Sequence, residues 1–353
     1  MPLRGSEAAA IADVLFQSMD ELAKSGRKLN DDARHRFAGR LKNIETPTVR
    51  VYPLSLEQDP IHPSSYYLAV DGLKHDGLKH GGLHHDAVTP LLLRLGLASS
   101  PASGLFPKSI LIGRMRPAGG REVVVNAIPF GPNDEGPVRT FTEQVAKSFQ
   151  PRPQGTQPAL IVPVAAASLA FEAYRRIARD TGQNRASFAA GFASAERADT
   201  GVLWAAVRAG WRDGYSLGVT GIPAQVSSHE PLERCSGFSR FSVEANDLTA
   251  ASAVYDHLRR FKPRGFDFEL DFRSTHLTAE ALGECLSAWR AAGRPVQSIM
   301  PPAGADFEAL AAAARQHNVL LTLEGPISLK LHGRGHRWLP QPSVDEMVEL
   351  ARD

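Results

Sequence analysis

The chain has 353 residues, with 40 Lys and Arg against 38 Asp and Glu and a formal net charge of +2. Acids and bases are interspersed without a long block of one sign, which argues against a nucleic-acid or membrane partner and favours a small ligand of mixed polarity. The two cysteines, Cys235 and Cys285, stand in no paired or metal-binding motif, so the composition predicts a reduced, cytoplasmic protein.

In chain order, residues 7 to 24 place Ile11, Val14, Leu15, Met19 and Leu22 at the helical period. Glu7, Asp13, Asp20 and Glu21 interrupt that stretch, so it predicts an amphipathic helix and not a signal peptide. Nowhere do the roughly 18 apolar residues of a spanning helix run together. A second helix is predicted over Asp31 to Leu41. Thr48 to Leu54 and Ser65 to Val70 read as extended, with Pro53, Pro60 and Pro63 as breaks. Ser109 to Met115 and Arg121 to Ile128 flank Pro117-Ala-Gly-Gly120, the pattern of an antiparallel hairpin.

Within this small α+β region, Asp71 to His85 is a five-residue repeat with Leu73, Leu78 and Leu83 in register. Its His75, His80, His84 and His85 are metal-ligand types. A period of five matches neither a helix face nor a strand face, so the repeat reads as a mobile, dispensable surface loop. Asp134 is the expected N-cap of a helix over Pro137 to Phe149. Gln150 to Gly155 then reads as a stiff connector, dividing the chain into an N-terminal region, 1–155, and a second domain, 156–353.

Beyond the connector the rhythm becomes strand, helix, strand. Candidate strands are Ala159 to Val164, Ser187 to Phe192, Tyr215 to Val219, Phe238 to Glu244, Phe266 to Phe272, Val296 to Met300, Val319 to Glu324 and Ser328 to His332. Leu248 to Phe261 and Leu277 to Ala292 are the clearest crossover helices. The pattern predicts a (β/α)8 TIM-barrel-like domain. Only Gly325 and Pro326 separate the last two strands, leaving no room for a crossover helix, so the barrel is expected to be eroded or incompletely closed there.

In such folds chemistry sits beyond the carboxyl ends of the strands. Phe266, Phe268, Leu270 and Phe272 alternate with Asp267, Glu269 and Asp271, which directs the three acids to the lumen. Buried together they call for a cation, a metal or water. Glu244 and Glu324 end two other strands, and Lys330 and His332 share a face of the last. A lysine beside carboxylates suits proton abstraction next to a carbonyl, and Glu, Asp and His together suit a divalent metal. His332-Gly-Arg-Gly-His336 places Arg334 between glycines that let the backbone approach an anion.

Four motifs follow one another in this half: Phe241-Ser-Val-Glu-Ala-Asn-Asp247, Phe268-Glu-Leu-Asp-Phe272 with Thr278-Ala-Glu-Ala-Leu282, Arg294-Pro-Val-Gln-Ser-Ile-Met-Pro301, and Ile327-Ser-Leu-Lys-Leu-His-Gly333 with Trp338-Leu339. Over residues 200 to 340 they resemble the tagaturonate and fructuronate epimerase family, metal-dependent barrel proteins acting on hexuronic keto-acids. The resemblance implies a hexuronate epimerase or isomerase with Glu244, Asp247 and Lys330 as catalytic residues. It implies Glu269 as a ligand of a divalent metal and Lys330 as a contact to an anionic sugar; the positions at the strand ends add Asp271 and Glu324 to the candidate ligands and His332 and Arg334 to the candidate sugar contacts. The chain departs from the family at Gly218-Val-Thr-Gly221, where the family has D-A-D-H, and at Leu323-Glu-Gly-Pro326, where the family has V-H-S-G-S-D-K. Those losses weaken the expected metal site. They leave open a non-catalytic sugar-acid binding or scaffold paralogue, and an aldolase-like lyase using Lys330 as its amine.

Overall fold

The computed structural model describes residues 5–24, 29–46, 49–73, 88–97, 104–116, 122–182, 185–226, 230–262, 265–324, 335–339 and 343–352. The chain forms two compact units, Met1–Phe149 with Leu203–Arg212, and Gln150–Val202 with Asp213–Asp353. Among the described residues no helix is long and apolar enough to cross a membrane. The histidine-rich repeat beyond Leu73 lies outside the described residues.

The first unit begins with helices α1 (Gly5–Lys24) and α2 (Asp31–Lys42). Ala8, Ile11, Ala12, Leu15 and Leu22 form one buried stripe of α1, and Ala33, Phe37 and Leu41 form that of α2. The Asn30 side chain caps α2 by accepting from the Ala33 amide at 2.9 Å. Strands β1 (Val49–Val51), β2 (Glu57–Gln58), β3 (Tyr66–Leu73), β4 (Val88–Leu97), β5 (Ile110–Met115) and β6 (Val123–Pro129) follow. They pair antiparallel in the order β1-β3-β4-β6-β5, with β2 also on β3. One face, including Leu68, Val70, Leu93, Leu95 and Val125, joins the helices in a single apolar core. Tyr67, Phe106, Phe130 and Phe141 form an edge-on aromatic cluster, with ring centroids 5.5–5.7 Å apart.

Two features of this unit depart from the sequence reading. Strand β4 was not anticipated, because Pro90 and the Leu91-Leu-Leu93 run show no alternation. Its residues from Leu91 to Gly96 are all buried, so both faces are covered and a continuous apolar run is what such a strand requires. The helix expected over Pro137 to Phe149 is instead a short helix, α3 (Glu135–Thr140), continued by a π-type turn over Phe141–Val145. Asp134 does not cap it; its Oδ2 accepts from the Gly131 amide at 2.6 Å and closes the preceding turn.

Buried charge ties this unit together. Arg34 Nη2 donates to Glu57 Oε2 at 2.7 Å, and Arg212 Nε donates to Glu57 Oε1 at 2.9 Å. The same arginines donate to the Leu56 and Leu54 carbonyls at 2.8 and 2.7 Å, and Arg212 lies over the Phe149 ring at 4.5 Å.

From Leu160 on, strands and helices alternate: β7 (Leu160–Pro163), α4 (Ala167–Thr181), β8 (Ala186–Gly191), α5 (Ala198–Ala209), β9 (Tyr215–Ile222), α6 (Glu230–Glu233), β10 (Arg240–Glu244), α7 (Leu248–Phe261), β11 (Asp267–Asp271), α8 (Ala279–Ala291), β12 (Ser298–Met300), α9 (Phe307–Gln316), β13 (Leu320–Glu324), β14 (Gly335–Trp338) and α10 (Val344–Arg352), all in the second unit except α5 from Leu203 on. The eight described strands are parallel and close on themselves in chain order, with β14 bridging β13 and β7. This is the TIM-barrel-like domain, and its described strands close into a barrel. Its eighth described strand is Gly335–Trp338; the strand expected over Ser328 to His332 lies outside the described residues. Gly-His-Arg-Trp carries no apolar alternation, which is why periodicity passed over it.

Outward faces are apolar. Phe268 packs on Tyr255 of α7 and stacks on Trp289 of α8, with centroids 5.1 and 5.5 Å away. Phe188 of β8 and Tyr215 of β9 meet Phe171 of α4 at 4.8 and 5.7 Å. Where strands lead into helices, Asp247, Thr278 and Asp306 accept from the amides three residues on, at 2.9, 3.2 and 3.0 Å.

The Arg34, Glu57 and Arg212 network gives a test of the first unit. Removing the shared carboxylate leaves two largely buried guanidinium groups facing each other. Glu57→Ala is therefore expected to destabilise the protein by about 3 kcal/mol, read as a lower urea midpoint by circular dichroism. An unchanged midpoint would show the network to be ornamental.

Candidate functional site in the barrel lumen

Alternation in the closed sheet decides what faces inward. With Phe268 and Leu270 outside, Asp267, Glu269 and Asp271 of β11 face the lumen, and all three are buried. In register beside them on β10 are Arg240, Ser242 and Glu244, and on β12 Ser298 and Met300 stand beside Glu269 and Asp271. Strand β13 adds Thr322, and β8 and β9 add Ser187, Ser216 and Gly218 through the pairs Ser187↔Ser216 and Ala189↔Gly218. TIM-barrel interiors are ordinarily filled by branched apolar side chains. Here hydroxyls, acids and one arginine occupy most inward positions from β8 to β13.

Glu269 stands at the centre of this set and is 0% exposed. Its Oε2 accepts from Ser298 Oγ at 2.6 Å and from the Thr322 hydroxyl. Two hydroxyl donors on one oxygen are the usual way of keeping a buried carboxylate solvated by protein. Asp267, nearer the amino end of the barrel, accepts from the backbone amides of Gln154 and Gly155 at 2.7 and 3.0 Å. Burial pushes its carboxyl above the usual range, aided by the Glu269 charge and opposed by those amides and by Arg240.

At the carboxyl end of β11, Asp271 is clamped by Arg273. The guanidinium donates from Nη2 at 2.7 Å and from Nε at 3.0 and 3.1 Å, and the Arg273 amide adds a bond at 3.0 Å. Glu244 ends β10 in register with Asp271 and is half-buried. Asp247 is the N-cap of α7, and its Oδ2 also accepts from Gln225 Nε2 at 3.3 Å. The Ala250 amide, foremost among its donors, holds that carboxyl below the usual range. The backbone of Glu324 completes β13; its side chain, like all of Lys330, His332 and Arg334, lies outside the described residues.

The implied metal can be weighed against this donor set. Among the described residues no three His, Cys, Asp or Glu side chains are grouped to hold an ion. Asp271 is committed to Arg273 and Glu269 to two hydroxyls, so the described side chains do not fit a metal centre. Gly218, where the resembled family carries an acid, offers no ligand atom. Opposite it stands Arg240, with Nε only 3.1 Å from where a Cβ at position 218 would lie.

Arg240, Ser242, Ser298, Thr322 and Arg273 were not singled out from sequence. The signal for the first two was present, since Arg240, Ser242 and Glu244 alternate with Phe241 and Val243 as the acids of β11 do with Phe268 and Leu270. Two surface clefts open at the amino ends of the strands, one lined by Arg290, Arg294, His317 and Val319 and one by Arg152, Arg185, Asp213 and Tyr215. That end of a parallel barrel serves stability, not chemistry.

No family model and no curated protein matches the chain. Solved structures do. The glycerol-complexed fructuronate-tagaturonate epimerase UxaE from Cohnella laeviribosi is 13% identical, with a TM-score of 0.54, over 87% of this chain and 74% of that one. The native form of the same protein gives 12% identity and a TM-score of 0.55 over 86% and 74%. At this identity the likeness establishes a shared fold, the one that the sequence motifs resembled.

The hydroxyl bonds to Glu269 give a direct check on the site. Thr322→Val keeps the shape of the side chain and removes one donor from a buried carboxylate, which is expected to cost about 1–3 kcal/mol. Urea unfolding measures it, and an unaltered stability would mean that the hydroxyl does not hold the acid.

Proposed function

We propose that this chain is a sugar-acid protein of epimerase-like fold that binds a keto-hexuronate in the mouth of its barrel. The observation that carries the reading is the polar interior. A lumen built from hydroxyls, carboxylates and an arginine suits a ligand that is itself a row of hydroxyls ending in a charge. Glu269, Ser298 and Thr322 supply hydrogen-bond partners within the barrel. Glu244 supplies a carboxylate at its open end. Lys330, His332 and Arg334, in the segment that follows the carboxyl end of β13, supply the cations that hold an anionic ligand.

Binding without turnover is the form of the proposal that the described side chains favour. Asp271 is paired with Arg273, Asp247 caps a helix, and Gly218 stands where the resembled family has an acid. The second reading is epimerisation, favoured by the half-buried Glu244 in register with the lumen acids, a position from which a carboxylate can take a proton next to a carbonyl.

Calorimetry with tagaturonate and fructuronate, each with and without divalent metal, tests the proposal. Lys330→Ala is expected to weaken hexuronate binding by at least about tenfold, or ~1.4 kcal/mol. No heat from the wild-type protein under any metal condition would remove the basis for a hexuronate ligand. Conversion of one sugar acid into the other would replace the binding form by the catalytic one.

A further inference from the structure

Arg240 is the inward residue at the start of β10, in register with Gly218 on β9 and Asp267 on β11. It is 3% exposed, yet among the described residues neither its Nε nor its Nη2 has a hydrogen-bond partner. Buried guanidinium donors left unmade are costly, so the position calls for an acceptor that those residues do not supply. Asp267, the acid beside it in register, is turned to the amides of Gln154 and Gly155. Nε and Nη2 form one edge of the guanidinium, and their parallel N–H bonds match the two oxygens of a carboxylate.

Space and neighbours agree. Gly218 has no side chain, which leaves the Arg240 guanidinium room to lie against β9; a Cβ there would sit 3.1 Å from Arg240 Nε and 3.4 Å from the Phe188 carbonyl oxygen. Ser216, two residues earlier on the same face of β9, is 2% exposed, and its Oγ has no partner among the described residues. This part of the lumen therefore leaves Arg240 Nε and Nη2 and Ser216 Oγ without a partner among the described residues. We propose that Arg240 binds the carboxylate of an acidic ligand side-on inside the barrel, and that Gly218 gives its guanidinium the room to take that position. The inference rests on the sugar-acid reading and revises one part of it: the ligand's single carboxylate goes to Arg240, and Lys330 is left the keto and hydroxyl oxygens at the mouth.

The test compares tagaturonate with tagatose, its uncharged counterpart, by calorimetry on the full chain. Wild type should prefer the acid. Arg240→Met should lower affinity for tagaturonate at least about tenfold while leaving tagatose within about twofold. A role confined to folding would lower both together. Gly218→Ala keeps the charge but pushes a methyl group against Nε, and should weaken tagaturonate selectively as well; it stands in should Arg240→Met not fold. A folded Arg240→Met that still prefers the acid overturns the proposal. Should wild type bind neither sugar, thermal shift with formate and acetate against chloride at equal ionic strength decides. A carboxylate-specific shift that Arg240→Met abolishes upholds the clamp and removes only the sugar reading, and no such shift in wild type overturns the clamp.

Discussion

A carboxylate sealed inside a closed barrel, Glu269, sets the terms for the residues around it. Buried charge is tolerable only with directed donors, and the strands on the far side of Glu269 supply them as Ser298 and Thr322. The same requirement explains why the inward row is polar from β8 to β13 while the outward row, from Phe188 through Phe241 and Phe268 to Ile299 and Leu321, is apolar. Stability comes from that outer layer packed on the helices. The interior has been released from a packing role.

Within that interior, each acid has a different environment. Asp267 is tied to backbone amides, Glu269 to hydroxyls, Asp271 to Arg273, and Asp247 to the first turn of α7. A carboxylate already held by fixed donors keeps its geometry but is less available as a metal ligand or a base. Arg240 is the complementary case, a buried cation beside Gly218 whose Nε and Nη2 have no hydrogen-bond partner among the described residues. The barrel thus combines acids held by fixed donors with an arginine whose requirements point to an anionic ligand.

Much of this was legible in the sequence where alternation or helical spacing is strong. Leu248 to Phe261 coincides with α7, and the strict alternation of Phe266 to Phe272 defined β11 and the direction of its acids. Periodicity failed where the chain has a different reason for its conformation. Strand β4 is apolar on both faces, and β14 is a strand because β13 and β7 flank it. Of the site, the acids were readable because carboxylates stand out against phenylalanines. Arg273 was not, because a residue just past a strand end has no periodic signature, and the serines of the lumen look like ordinary strand polar positions until the barrel closes around them. The replacement at Gly218 was visible, but its meaning required the neighbouring strand, which brings Arg240 opposite.

A crystal structure of the protein soaked with tagaturonate addresses the account most directly. The ligand is predicted inside the barrel, with its carboxylate about 2.9 Å from both Nε and Nη2 of Arg240 and its hydroxyls directed toward the Glu269 side of the lumen. Tagaturonate seated outside the barrel, or an Arg240 whose donor edge is closed by a protein acceptor, would contradict it.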